Sequence, residues 1–178
     1  MGIFGNLFKK KEVLPPFDLG RFKTDMHSHL IPGIDDGSQS MDQTIAMLAK
    51  FESLGYTKVV TTPHIMSDTF PNNKETIEAG LKEVQKEIKK VGIQIEIEAA
   101  AEYYFDETLM PKIKSKELLT FGDNYVLVEF AFHSSPQYLD QLFFELKTHG
   151  YRPVIAHFER YIYYLGKIDK AEEWRTNG

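Results

Sequence analysis

From Phe22 onward, short apolar runs alternate with longer amphipathic stretches. The runs at residues 23–27, 58–62, 94–101, 125–130 and 153–157 are mostly bounded by Gly, Pro or Asn, and they predict five β-strands. Helical patterns fill the gaps. Ser40 or Asp42 caps a helix that runs to about Leu54, where Gly55 supplies the stop. Residues 75–90 place Ile77, Leu81, Val84 and Ile88 on one face and stop at Gly92. Ser135-Pro136 opens a further helix that buries Leu139, Leu142, Phe143 and Leu146 and ends at Gly150. Strand-helix alternation implies an α/β fold of parallel strands with right-handed crossovers, so all strand C-termini lie at one end. No sequence repeat accompanies this rhythm.

Each predicted strand ends on a residue type that binds metals: His27 and His29, His64, Glu102, Glu129 and His157. Taken singly, each has an ordinary rival. His27-Ser28-His29 puts two imidazoles on one side of an extended segment, within reach of one ion, but a chance pair looks the same. Asp25 is placed to accept a hydrogen bond from a ligating imidazole. A lone Thr62-Pro63-His64 reads equally as a loop histidine. Glu102 after three alanines and Glu129 in Val126-Leu127-Val128-Glu129-Phe130 are harder to dismiss, because an isolated carboxylate buried at a strand end costs several kcal/mol unless a cation or strong hydrogen bonds hold it. His157 closes an apolar strand in the same way. Jointly these positions describe one convergent pocket, a multinuclear metal site at the mouth of a barrel.

Composition narrows the chemistry. The chain has no cysteine, which excludes disulfides, thiolate-bound zinc, iron-sulfur clusters and a cysteine nucleophile. A net charge of -5 offers no footprint for nucleic acid and repels anionic substrates unless bound cations reverse the local field. No apolar run approaches the roughly 20 residues of a membrane span. At 178 residues the chain is short for a full strand-helix barrel, which takes about 200 to 250. Residues 1–21 are read as a tail and linker. Within them, Ile3, Phe4, Leu7 and Phe8 precede three lysines, a pattern suited to peripheral contact with an anionic membrane surface through residues 1–11, though a packed or disordered tail is the alternative. Leu14-Pro15-Pro16-Phe17 is expected to be extended.

The segment from Asp25 to Ser38, DMHSHLIPGIDDGS, together with Thr62-Pro63-His64, Val128-Glu129-Phe130 and residues 153–161, PVIAHFERY, resembles the polymerase-and-histidinol-phosphatase (PHP) family. Within it, the match is to bacterial manganese-dependent protein-tyrosine phosphatases encoded with capsule and exopolysaccharide genes. The resemblance spans residues 22–178. It implies a distorted TIM-like (β/α)7 barrel, of which about five β/α units are present, with up to three divalent ions at the strand C-termini. It places His27, His29, His64, Glu102, Glu129 and His157 on ligand positions and Arg160 on a phosphate-contacting position. It also implies a cytoplasmic enzyme, associated with the inner face of the membrane if residues 1–11 dock there. A phosphotyrosine protein such as a bacterial tyrosine-kinase tail is the implied substrate.

Two departures qualify the match. Phe158 stands where the family usually has Pro after the histidine, which predicts a local loop change. The family's final Asp-Ala-His strand has no counterpart, so the domain is expected to lack its last strands and two ligands. An open barrel exposes strand edges and apolar faces, which favours association into oligomers. The leading expectation is phosphotyrosine hydrolysis by water activated on clustered ions, with manganese favoured over iron, zinc or cobalt. The alternatives are a small phosphate monoesterase of the histidinol-phosphatase type and an inactive remnant acting as a metal-binding or kinase-interaction module. Arg160 as a surface salt-bridge partner of Glu159 or Asp169 is the rival to its phosphate role. His133 is read as solvated near the entrance, and His149 as a helix C-terminal partner. Tyr103, Tyr104, Tyr161, Tyr163 and Tyr164 either flank a substrate ring or pack against loops.

Overall fold

The structure, a computed structural model, describes residues 17–177. Residues 1–11, the proposed membrane-contacting stretch, lie outside that range. Strand β1 (Thr24–Ser28) leads into helix α1 (Met41–Ser53), then β2 (Lys58–Thr61) and the short β3 (His64–Ile65). Helix α2 (Lys74–Val91), β4 (Glu96–Ala99) and β5 (Glu102–Tyr104) follow. The chain continues through α3 (Leu109–Ser115), β6 (Tyr125–Glu129), α4 (Leu139–Thr148), β7 (Arg152–Ile155) and α5 (Ile168–Asn177). Every pairing between these strands is parallel, as strand-helix alternation requires.

Two of the five expected strands stop at about their expected ends and then resume as a second short strand. The run beginning at Lys58 divides at Thr62-Pro63 into β2 and β3, and the run expected over residues 94–101 stops at Ala99 and resumes as β5. The breaks lie side by side, and they divide the strands into a sheet ordered β1-β2-β4 and a second ordered β3-β5-β6-β7. Pro63 has no N–H to give to a ladder. Its carbonyl nevertheless accepts from the Glu102 N–H at 3.0 Å, and the Thr61 carbonyl accepts from the Ala100 N–H at 2.9 Å. Hydrogen bonding therefore runs across the fold line, and the two sheets form one curved wall. Among the described residues β1 and β7 do not pair with each other.

The helices bury the faces expected of them. Ser40 caps α1 through Gln43 N, and Asn73 caps α2 through Thr76 N. Ile77, Val84 and Ile88 are buried on α2, while Lys82, Lys86, Lys89 and Lys90 face solvent. Helix α4 buries Leu142 and Leu146 but opens at Leu139, later than Ser135-Pro136 suggested. Tyr138 ahead of it is left-handed (φ 62°), a backbone state that cannot continue a helix from residue 135. Helix α3 was not singled out by periodicity, because its seven residues bury only Leu109 and Ile113, too few to show a period.

Alternation along the strands sorts side chains into two layers. Val59, Val126 and Val128 face the helices, within clusters that include Leu48, Val84, Ile113, Leu142 and Leu146. Val60, Ala100, Leu127 and Ala156 face the inside of the curved wall, packed with Phe121. The inner positions extend to the strand C-termini, and the site lies there.

Candidate metal centre

Counting in twos along the inner face gives the site directly. Val60 leads through Thr62 to His64, Ala100 leads to Glu102, and Leu127 leads to Glu129. Two strands break the count, each through a backbone irregularity. In β1, Asp25 pairs with Val59 but Ser28 pairs with Thr61, so one extra residue is inserted between them. That insertion reverses the parity: Thr24 and Met26 line a cavity at the opposite end of the strands, while His27 and His29 reach the end where the other candidate ligands lie. After β7, Ala156 points inward and residue 157 would point out. His157 instead adopts a left-handed conformation (φ 31°, ψ 56°), which places its imidazole among the other site residues.

All six expected ligand residues therefore line one cavity of about 370 Å³. Glu102, 1% exposed at its side chain, is the hub. Its Oε2 lies 3.7 Å from His27 Nε2, 3.3 Å from His29 Nε2 and 3.4 Å from His64 Nδ1, and its Oε1 accepts from His157 Nε2 at 2.9 Å. Glu129 Oε2 lies 3.5 Å from His64 Nδ1, and its Oε1 lies 3.4 Å from His157 Nε2. Among the described residues, three overlapping groups present ligand atoms within 4.8 Å of one another: His27, His29 and Glu102; His29, Asp36 and His64; and His64, Glu102 and Glu129. His157 belongs to none of these groups and joins through its contacts with the two glutamates.

The donor set fits divalent cations on three counts. Imidazole and carboxylate without thiolate suits manganese, iron, cobalt or zinc. The rings are already oriented: His29 Nδ1 donates to Asp35 Oδ2 at 2.7 Å, and His27 Nδ1 lies 2.6 Å from Thr62 Oγ1. Each ring thus turns Nε2 toward Glu102. Finally, among the described residues, His64 Nδ1, His157 Nδ1 and Glu129 Oε2 are buried without any hydrogen-bond partner. Such orphans are costly in a protein interior, and at least His64 Nδ1 and Glu129 Oε2 face one another across a gap that a cation would bridge.

The electrostatics differ from ligand to ligand. Burial holds His64 and His27 below the usual imidazole value despite the Glu102 charge, which favours the neutral rings that can donate a lone pair. Burial and the neighbouring Glu102 charge push Glu129 up to about 7. Burial would raise Glu102 too, but hydrogen bonds with His157 and His29 and the nearby His27 and His64 outweigh it, and its carboxyl falls to about 2. Burial opposes charge on His29, yet Asp35 and Glu102 raise it to about 9.

Asp35, Asp36 and Thr62 were not assigned these roles by sequence reasoning. Asp35 is fully buried at its side chain and also accepts from the Gly37 N–H at 3.0 Å and the His64 N–H at 3.0 Å, tying the loop after β1 to β3. The imidazole-partner role expected of Asp25 is therefore taken by Asp35, and among the described residues Asp25 Oδ2 is buried without a partner. Adjacent aspartates before Gly37 were the available signal. Gly37 is required by space: a methyl group there would sit 2.2 Å from His29 Cβ and 2.4 Å from the His29 carbonyl oxygen.

Arg160 lines the same cavity, with its guanidinium 4.2 Å over the Phe132 ring. Among the described residues it makes no ion pair with Glu159 or Asp169, so the surface salt-bridge alternative has no support. His133 is exposed and outside the cavity. His149 Nδ1 pairs with the Glu145 carbonyl at 2.8 Å at the end of α4, as expected of a helix C-terminus. Four of the five tyrosines are packing residues. Tyr103 and Tyr161 are buried and accept backbone N–H bonds from Leu119 and Phe130, Tyr163 donates to the Ala131 carbonyl, and Tyr164 packs on Phe158 and Trp174. Tyr104 lines a different cavity.

Fold and site together define an α/β protein whose parallel strands carry a candidate multinuclear metal centre at their C-terminal ends. The chain belongs to the CpsB/CapC family of capsular polysaccharide synthesis, whose family model matches residues 23–178. It is 35% identical to CapC of Staphylococcus aureus over 139 residues, covering 76% of this chain and 54% of that protein. It is 33% identical to the tyrosine-protein phosphatase CpsB of Streptococcus pneumoniae over 138 residues, covering 77% of this chain and 57% of that one. A solved structure from work on YwqE of Bacillus subtilis and CpsB of Streptococcus pneumoniae, described as unique metal-dependent tyrosine phosphatases, superimposes with a TM-score of 0.74 at 28% identity. That match covers 80% of this chain and 58% of the solved one. The chain thus spans little more than half the length of the relatives it matches.

Proposed function

We propose that this chain carries the metal-binding half of a protein-tyrosine phosphatase acting in capsule or exopolysaccharide regulation, with manganese as the preferred ion. The observation that supports it is the convergence of four imidazoles and two buried glutamates from five parallel strand ends, with an arginine on the same cavity wall. His27, His29, His64, Glu102, Glu129 and His157 would hold the ions, with Asp36 as a further carboxylate on the rim. Divalent ions bound there would supply Lewis acidity toward phosphoryl oxygens and activation of water for in-line displacement.

The chain's own residues perform the rest. Arg160 binds nonbridging phosphoryl oxygens, for which the guanidinium fork is suited. Asp35 and Thr62 fix the His29 and His27 rings so that each offers Nε2. Asp36, Glu102 and Glu129 repel a phosphate dianion until cations offset them, which makes substrate binding conditional on metal loading. The substrate is a phosphotyrosine-bearing protein, such as a tyrosine-kinase tail on the cytoplasmic side.

The decisive experiment is hydrolysis of a phosphotyrosine peptide by the manganese-loaded chain, with metal counting alongside. Turnover that chelation abolishes and thiol alkylation leaves untouched is the expected result, since the chain has no cysteine. Turnover that survives exhaustive chelation, or none at full metal occupancy, overturns the proposal. Faster turnover of a small alkyl monoester, such as histidinol phosphate, would redirect the substrate class. Sedimentation with anionic liposomes, with and without residues 1–11, tests the peripheral membrane contact.

A further inference from the structure

The walls of the metal cavity are polar or charged almost throughout. Apart from Gly37, the exceptions are Met47 and Phe132. Phe132 lies three residues beyond Glu129, on the loop after β6, and its ring is fixed on several sides. The Arg160 guanidinium sits 4.2 Å over the ring, the His157 imidazole is 5.4 Å away and the Tyr161 ring is 5.8 Å away. The Phe132 carbonyl accepts from the Ile162 N–H at 3.1 Å, which holds the backbone as well. Met47 comes from the opposite end of the sequence, on α1, partly buried against the cluster around Leu48. Both residues remain only partly buried, so each keeps apolar surface at the cavity.

Metal and phosphate themselves are bound by charged and polar groups, and these two side chains supply neither. One rigid aromatic ring and one polarizable thioether are, however, suited to an aryl group: rings favour tilted or offset contacts, and methionine sulfur contacts aromatic edges. A volume of about 370 Å³ falls within the range of ligand pockets that take more than a phosphoryl group. Of the tyrosines near the strand ends, Tyr103, Tyr161, Tyr163 and Tyr164 are engaged in packing and Tyr104 lines a different cavity.

We propose that Phe132, with Met47, forms the wall that selects aryl over alkyl phosphate esters in this cavity. The inference rests on the phosphoesterase reading above and concerns which organic group the cavity prefers. Phe132 makes contact with the ester's ring, and by stacking under Arg160 it also aligns the ring with the phosphate-binding guanidinium. An alkyl ester such as phosphoserine would keep the phosphate contacts and lose the ring contacts.

The test separates the two readings by using probes that cannot be hydrolysed. The manganese-loaded full chain is titrated by calorimetry with phenylphosphonate and with methylphosphonate, with metal content measured for each variant. The parent chain is expected to bind phenylphosphonate about tenfold tighter. Phe132→Leu should remove roughly fivefold to tenfold of that preference, with methylphosphonate affinity held within about twofold and metal content unchanged. Met47→Ala should shift the ratio in the same direction, and Arg160→Ala should weaken both probes together. Equal loss of both probes in Phe132→Leu would show that Phe132 acts only through Arg160 and overturns the proposal. So would absent binding of phenylphosphonate, or no aryl preference in the parent chain. If aryl preference holds while the phosphotyrosine peptide is not turned over, the phosphatase reading fails and the aryl-selecting wall stands.

Discussion

Asp35 illustrates how much one buried carboxylate can organise. Its oxygens accept from the His29 ring, the Gly37 N–H and the His64 N–H, so two candidate ligands and the loop between them share one anchor. The neighbouring His29 charge and these hydrogen bonds outweigh burial and keep its carboxyl below the usual range. Asp35→Asn keeps the size but puts an amide in place of an oxygen that receives a donor. Metal affinity should fall about 10- to 100-fold, as for other partners of metal-bound imidazoles, with little loss of helix content. Calorimetric manganese titration checks this, and an unchanged affinity would remove Asp35 from the site. Asp106 makes a separate prediction about pH. Burial would raise its carboxyl, but Thr108 and Ser67 donate to it at 2.7 to 3.0 Å and bring it below the usual value. Its contribution to stability is therefore complete above the unfolded value of about 4 and is lost as pH falls through the lower folded value. Asp106→Asn should flatten that part of the acid unfolding curve measured by circular dichroism.

At the scale of elements, strand periodicity and its two interruptions aim the ligands. Period-two counting along β2 into β3, β4 into β5, and β6 delivers His64, Glu102 and Glu129, whereas β1 needs an inserted residue and β7 a left-handed histidine. Deleting Met26 would close the insertion and set His27 opposite Val60, so His27 and His29 would keep the inner face. The expected result is unchanged metal stoichiometry in the folded protein; loss of the ion site that they share with Glu102 would show that the inserted residue itself aims them. The loop that follows is equally constrained. Gly37→Ala forces a methyl group against His29, and overpacking of this kind costs about 1 to 3 kcal/mol. Thermal unfolding together with metal titration will show whether the strain falls on stability or on the ligand. Helix ends behave more simply: Asn73 accepts from Thr76 N at 2.8 Å, and Asn73→Ala should cost about 1 kcal/mol in chemical denaturation while leaving metal binding intact.

The whole molecule couples the site to the fold. The candidate ligands come from both sheets and are separated by up to 130 positions between His27 and His157, so binding ions would tie the two halves of the curved wall together. An ion that binds only the folded form raises stability by about 2.7 kcal/mol at a hundredfold excess over its dissociation constant. Adding manganese to the metal-free chain should therefore raise the thermal midpoint by several degrees, and a chelator should reverse the shift. A midpoint indifferent to manganese, zinc and cobalt would argue against a site built from both sheets.

Local sequence determined the strand-helix order, the buried helix faces, the caps at Ser40 and the stop at Gly92, and the set of His and Glu residues at strand ends. These features are legible because they depend on spacing within a few residues of one another. Tertiary structure decided the two fold lines, the inserted residue in β1, the left-handed turn at His157 and the partners of each imidazole. It also moved the aromatic wall from the tyrosines to Phe132. Each of these depends on which strand lies beside which, and on whether a side chain faces the helices or the inner wall. Parity of that kind is reversed by a single inserted residue, so it is settled only when distant segments pair.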